Sequence, residues 1–239
     1  TEEILNEAIS TTARLTAMEL EARNSRYFIL AAALEYEKSV NRSFIFSLLT
    51  LLTGKPAAEL IGLCSGDGTA CGAGIASEAI DSSVSGELHK PLKALLGNHT
   101  DRRRLAELSL CYPLREIRGR SLASFILASE QNITGTWTKA CALHKAAAAR
   151  GGLDRELAVS YLFSNSQLLQ EESARAIRAI NPAWYRDAEA RLPEPVRNRL
   201  SAIISGNLPE AAMVFEKTRF LSLCFRNIPE EKTVILASA

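Results

Sequence analysis

From Thr134 to Leu192 the apolar residues recur at helical spacing, and each run ends at a residue that stops a helix. Trp137, Ala140, Cys141, His144 and Ala148 line one face of a first predicted helix. Gly151 and Gly152 follow and are expected to take the left-handed cap, which glycine enters without steric cost. Leu153, Leu157, Tyr161 and Leu162 make the next stripe. Ser166 stands where it can cap a third helix, with Leu169, Ser173, Ala176, Ile177 and Ile180 facing inward. Asn181-Pro182 pairs a capping side chain with a proline at the first helical position, which predicts a fourth helix carrying Trp184, Tyr185, Ala188 and Leu192. None of these helices is long enough to stand alone in water. A chain of this kind must therefore bury each apolar face against the next helix.

The same pattern extends outward. Residues 1–23 read as one helix with Glu2 and Glu3 in its first turn, where acidic side chains suit the positive end of the helix dipole. Asn24-Ser25 is expected to break it, and Arg26 to Val40 to form the next helix. Asn41 reads as the cap of a third, built on Phe44, Ile45, Leu48, Leu49 and Leu52, and Gly54-Lys55-Pro56 as its stop. Gly74 to Ser82 and Leu88 to Leu96 read as an antiparallel pair, with Pro91 early in the second member, as first-turn prolines are. Asp101 is expected to cap a helix running through Leu110, and Tyr112-Pro113 to end it, because the residue before proline avoids the helical region. Arg118 to Ala128, Val196 to Ile204 and Pro209 to Phe225 complete the series.

No alternating pattern of strand type recurs, and Gly plus Pro, 13 plus 8 residues, is low for a turn-rich β fold. The predicted class is all-α, an α/α superhelix: a HEAT-like, armadillo-like α-solenoid of antiparallel helix pairs over residues 1–208, with 1–40 as a helical N-terminal portion. Trp137 to Leu169 gives a spacing of roughly 32 residues. That lies near the TPR and ankyrin periods, but their signature residues are missing, which leaves the HEAT-like pattern.

Charge and cysteines narrow the chemistry. Lys plus Arg number 28 against 27 Asp plus Glu, a formal charge of +1, where a dedicated nucleic-acid binder carries a basic excess. The 5 cysteines form no CxxC pair and, with the histidines, no zinc spacing, so reduced thiols in a cytoplasmic setting are expected and no metal or other cofactor is. The glycine-rich SGDGTACGAG of Ser65–Gly74 lacks the preceding strand and following Lys-Ser/Thr of a phosphate loop and reads as a turn between helices. The apolar runs Phe28–Leu34 and Phe44–Leu52 fall short of the roughly 18–20 residues that span a bilayer, so a soluble chain is expected. Its start at Thr1 without methionine suggests an excised or processed segment, and the three Asn-X-Ser/Thr matches at Asn41, Asn98 and Asn132 read as chance.

His89, His99 and His144 are far apart and have no nucleophile at a recognisable spacing, so no catalytic residue is expected and the chain reads as a non-enzyme. The densest positive region is Arg102, Arg103 and Arg104 with Arg115, Arg118 and Arg120, a candidate patch for an anion or a partner. It carries the alternative reading, a HEAT-like domain that binds nucleic acid. Glu107 and Glu116 are available to pair with it, which favours solvated helix ends.

Four segments carry a family resemblance: SEAIDSSVSGELHKPLKALL (Ser77–Leu96), CYPLREI (Cys111–Ile117), SNSQLLQEESARAIRAINPAWY (Ser164–Tyr185) and FEKTRFLSLCFRNIPEEKTVILAS (Phe215–Ser238). The first three resemble the HEAT-like repeat region of bacterial membrane proteins related to ATP:ADP antiporters. In that family a transporter-like membrane domain precedes the solenoid and a cyclic-nucleotide-binding domain follows it. The fourth segment is similar to the lead-in of that last domain, which makes 209–239 a connector toward a domain lying beyond Ala239. The glycines of Gly66–Gly74 depart from the family pattern, as does the missing turn aspartate near Ser166. The resemblance implies a scaffold or linker inside a nucleotide-transport-related protein, held in the cytoplasm and tethered to the inner membrane through a domain absent from this chain. Its partners would be the adjacent domains of the same polypeptide or a protein on the concave face.

Overall fold

The computed structural model describes residues 1–54, 84–97, 99–114, 122–130 and 133–205, and everything said below of structure concerns these. Ten helices and no strand are found among them: α1 (Glu2–Asn24), α2 (Phe28–Thr53), α3 (Gly86–Leu96), α4 (Asp101–Ser109), α5 (Leu122–Ala128), α6 (Thr136–Ala149), α7 (Arg155–Leu162), α8 (Gln167–Ile180), α9 (Pro182–Glu189) and α10 (Glu194–Ile204). The protein is all-α across the described residues. No helix among them is long and apolar enough to cross a membrane. The expected helices at 74–82 and 209–225, the glycine-rich turn and the 209–239 connector lie outside the described residues.

The chain divides into two compact units. The first takes Thr1–Leu20 and Glu35–Glu116, the second Glu21–Leu34 and Ile117–Ala239. In the first unit, Leu5 and Ile9 of α1 meet Ile45 and Leu49 of α2, with Leu88, Leu92 and Leu95 of α3 and Leu108 of α4 closing the same core. Burying side chains of this size stabilises by roughly 1.5–3 kcal/mol each.

Several helix boundaries differ from the sequence expectation, each for a local reason. Asn41 does not start a new helix: α2 runs unbroken through it. Its amide instead reaches across to α1, donating to Ala8 O and to Thr12 Oγ1, both at 2.7 Å. A long-range pair of hydrogen bonds has displaced the local capping role. Pro91 lies in the second turn of α3 rather than its first, buried against the core, which accepts the loss of one intrahelical hydrogen bond. Thr100, not Asp101, caps α4, its hydroxyl accepting from Arg103 N at 3.4 Å. The left-handed cap of α6 is Arg150, at φ 49° and ψ 41°, while the positive φ among the two glycines falls on Gly152. Other punctuation matches. Gly54 ends α2 at φ 67°. Ser166 caps α8, and Asn181 caps α9 by accepting from Ala183 N at 3.0 Å, with Pro182 as the first helical residue.

In the second unit α8 is the central helix, packed against α6, α7, α9 and α10. It therefore buries more than the expected stripe: Leu168, Glu171, Glu172 and Ala174 are covered as well as Leu169, Ser173, Ala176 and Ile177. Two long-range hydrogen bonds reinforce this packing: Ser173 Oγ donates from α8 to Ala158 O of α7 at 2.6 Å, and Tyr161 Oη donates from α7 to Leu127 O of α5 at 2.6 Å. Trp184 is half-buried on this core, with the Arg155 guanidinium 5.6 Å from its ring centre. Trp137 is also half-buried.

Candidate functional site

The arginine triplet resolves into separate roles. Arg103 turns to Glu107 along its own helix, Nε to Oε1 at 3.0 Å. Arg104 donates to Asp101 Oδ1 at 2.5 Å and to Gly97 O at 3.3 Å. Asp101 in turn accepts from Lys38 Nζ at 2.9 Å, and Lys38 also pairs with the fully buried carboxylate of Glu19. Arg104 is thus one end of a structural charge chain in the first unit, and Arg102 is exposed. Arg115, Arg118 and Arg120 lie outside the described residues. The histidines are dispersed as expected. His89 Nε2 is 2.9 Å from Val84 O, and His99 Nε2 is 3.7 Å from Glu107 Oε2.

The arrangement that sequence reasoning missed is on α8. Glu171 and Glu172 are adjacent in sequence, and both are buried, at 2% and 0% exposure. Carboxylates are almost never so covered unless paired. Glu172 meets His144 Nδ1 at 3.0 Å and Arg175 Nη1 at 2.5 Å. Glu171 accepts from Arg199 Nη1 at 3.1 Å and from Gln167 Nε2 at 2.9 Å, and Arg199 also donates to Gln170. Consecutive positions point about 100° apart around a helix, so the two carboxylates face different neighbours, α6 and α10. The Glu172–Arg175 spacing was visible in the sequence. The partners contributed by His144 and Arg199, 28 residues away on either side, were not.

Chemically, the carboxylate fixes the half-exposed His144 ring by one nitrogen and leaves the other for a proton. Proton transfer needs a reacting group in reach. Cys141, one turn earlier on α6, is buried. Lys139 is also buried; its Nζ donates to Ser129 O at 2.8 Å and lies 5.8 Å from the Tyr161 ring centre. Burial holds its pKa below the ordinary lysine value. Among the described residues no group of three or more His, Cys, Asp and Glu side chains is placed to hold a metal ion.

Three concavities accompany these clusters, each inside one unit. In the first unit a 730 Å³ cleft is lined by Glu2, Glu3, Glu87, Cys111 and Tyr112. Tyr112 Oη donates to Asn6 Oδ1 at 2.6 Å, and burial pushes its pKa up to about 12. In the second unit a 410 Å³ cleft holds Tyr27, Lys145 and Arg150, with Lys145 Nζ 5.5 Å from the Tyr27 ring centre. A smaller cleft of 290 Å³ lies where α8, α9 and α10 meet. No protein-family model, curated protein or solved structure matches the chain.

Proposed function

We propose that this chain is a non-enzymatic helical-repeat scaffold, a HEAT-like α-solenoid segment of a larger transporter-like membrane protein. The observation that supports it best is the stacking of α6 to α10. Helices of 8 to 14 residues gather on the central α8, and those from α7 to α10 share one core running through Ala158, Leu162, Ala174, Ile177, Tyr185 and Leu200. Repeat proteins are stabilised in this way, each short unit relying on its neighbours. The charged clusters fit the same reading, because Glu171, Glu172 and Glu19 are all committed to side-chain partners within their unit. In this role the chain positions adjacent domains of its own polypeptide, or a protein partner, on the cytoplasmic side of the inner membrane.

The test is the reading frame on both sides of Thr1 and Ala239. Membrane-spanning segments upstream and a cyclic-nucleotide-binding domain downstream are expected. A natural gene encoding neither would overturn the membrane-scaffold reading. Nucleic-acid binding through Arg102–Arg104 is the rival, and the pairing of Arg103 and Arg104 with acidic neighbours weighs against it. A gel-shift titration at low salt separates the two: binding that weakens steeply with added salt and disappears when all three arginines are replaced would favour the rival.

A further inference from the structure

The 290 Å³ cleft of the second unit gathers a set of side chains that the scaffold reading leaves unused: Arg178, Tyr185, Arg186, Glu189, Ser201 and Ser205. Arg178 is in the last turn of α8 and Arg186 in the last turn of α9, and both are exposed. Elsewhere in this unit Arg155, Arg175 and Arg199 each meet a carboxylate, whereas no ion pair among the described residues engages Arg178 or Arg186. Two unpaired guanidiniums lining one small cleft make a positive receptor, each able to present a fork of donors to an oxyanion.

The lining between them mixes polar groups with the apolar Pro182 and Ile204. Tyr185 is only 6% exposed, and its covered hydroxyl forms no hydrogen bond of ordinary distance and angle. Burial, the charge of Glu189 and a weak contact with that carboxylate push its pKa up to about 12, with Arg178 pulling the other way. Tyr185 therefore keeps its proton as a donor at neutral pH. Glu189 accepts from Ser201 Oγ at 2.8 Å through Oε1, and Ser205 Oγ donates to Ser201 O at 2.7 Å. A fully deprotonated anion gains from the arginines but is repelled by Glu189. An anion that still carries a proton can donate it to that carboxylate and turn the repulsion into a hydrogen bond. A phosphate group has this property near neutral pH; sulfate and simple carboxylates do not.

We propose that this cleft binds a phosphate group, as free phosphate or as a phosphomonoester, with Arg178 and Arg186 holding its oxygens and Glu189 accepting its proton. The site goes beyond the scaffold reading and stands or falls separately from it. Its small size limits the ligand to a phosphate and a few attached atoms.

The experiment is calorimetric titration of the full 239-residue chain at low ionic strength with inorganic phosphate, glycerol phosphate and sulfate. Saturable binding of one or both phosphates is expected, with sulfate about tenfold weaker or more, the scale of one charge-assisted hydrogen bond gained or lost. Tighter binding of glycerol phosphate than of inorganic phosphate identifies a monoester as the ligand; the reverse identifies free phosphate. The Arg178→Gln/Arg186→Gln variant should lose binding while keeping its helical circular dichroism. Glu189→Gln should lose the preference and take sulfate about as well as phosphate. No saturable phosphate heat, equal affinity for sulfate in the unmodified chain, or undiminished binding in the folded double-arginine variant would each overturn the proposal.

Discussion

Replacing Glu172 by Gln removes one charge at the centre of α8 with little change of shape. The wild-type carboxylate has no exposure to solvent, and its two oxygens serve Arg175 and His144 separately. Gln keeps an acceptor for Arg175 but turns its amide toward a ring nitrogen and removes the carboxylate charge beside the guanidinium. The Arg175 side chain is 18% exposed and cannot fully rehydrate; His144 at 43% can. Breaking a buried ion pair from one side costs about 3–5 kcal/mol, and the residual acceptor lowers that to about 2–4 kcal/mol here. Both tryptophans of the chain, Trp137 and Trp184, belong to the second unit, so tryptophan fluorescence follows that unit alone in a urea titration. With a urea slope of about 1–3 kcal/mol per molar, the midpoint should fall by roughly 1–2 M. A double-mutant cycle should show strong coupling of Glu172 to Arg175 and weak coupling, below about 1 kcal/mol, to His144. A midpoint change worth less than about 0.5 kcal/mol, or coupling concentrated on His144, would refute the reasoning.

Lys38→Met should destabilise the first unit by about 2–4 kcal/mol, because it removes the ammonium paired with the fully buried Glu19 carboxylate; far-UV circular dichroism in urea reads it, and adding Glu19→Gln should recover part of the loss. Arg150→Gly should stabilise the second unit by about 0.5–1 kcal/mol, since Arg150 holds a left-handed conformation that glycine enters freely; a lower fluorescence midpoint would contradict this. Above pH 10 the fold should lose stability. Tyr112 and Tyr185 ionise near 12 when folded and near 10 when unfolded, so the unfolded chain releases its protons first and is favoured across that interval, by about 2–3 kcal/mol per tyrosine. Tyr161, also shifted upward, acts in the same sense. Lys139 acts in the opposite sense: its folded pKa is depressed, so its contribution grows as pH climbs toward 10.5. Tyr185→Phe should flatten the alkaline limb of the fluorescence-monitored stability curve, and an unchanged limb would count against the assignment.

What was legible in the sequence is what depends on near neighbours. The Asn181-Pro182 cap, the Ser166 cap and the Gly54 stop are decided within one helical turn, and each stands where its chemistry put it. Asn41 misleads because the same amide that caps a helix locally can also donate across 33 residues to Ala8 O, and only packing decides between them. Arg150 rather than Gly151 takes the left-handed position, a difference of one residue at an exposed helix end that composition alone does not place. The buried carboxylates were illegible for a different reason. A Glu-Glu pair on an amphipathic helix ordinarily faces water, and only the convergence of four other helices on α8 covers it. The Arg178/Arg186 cleft needs the same convergence, and no spacing in the sequence announces it.

The amide of Asn41 acts as a bolt through the α1–α2 hairpin. Two helices joined by apolar side chains alone can slide, since one leucine is much like the next. A slip of one turn, about 5.4 Å, toward the start of α1 would set Asn41 opposite Ile4 and Ala8, where no hydroxyl accepts, whereas the opposite slip would meet Thr12 O and the Thr16 hydroxyl bonded to it. Thr12 is fixed on its own side by its hydroxyl bond to Ala8 O at 3.1 Å, so the acceptor site cannot follow. The α1–α2 pair is therefore barred from sliding in one direction by a single side chain in the middle of α2.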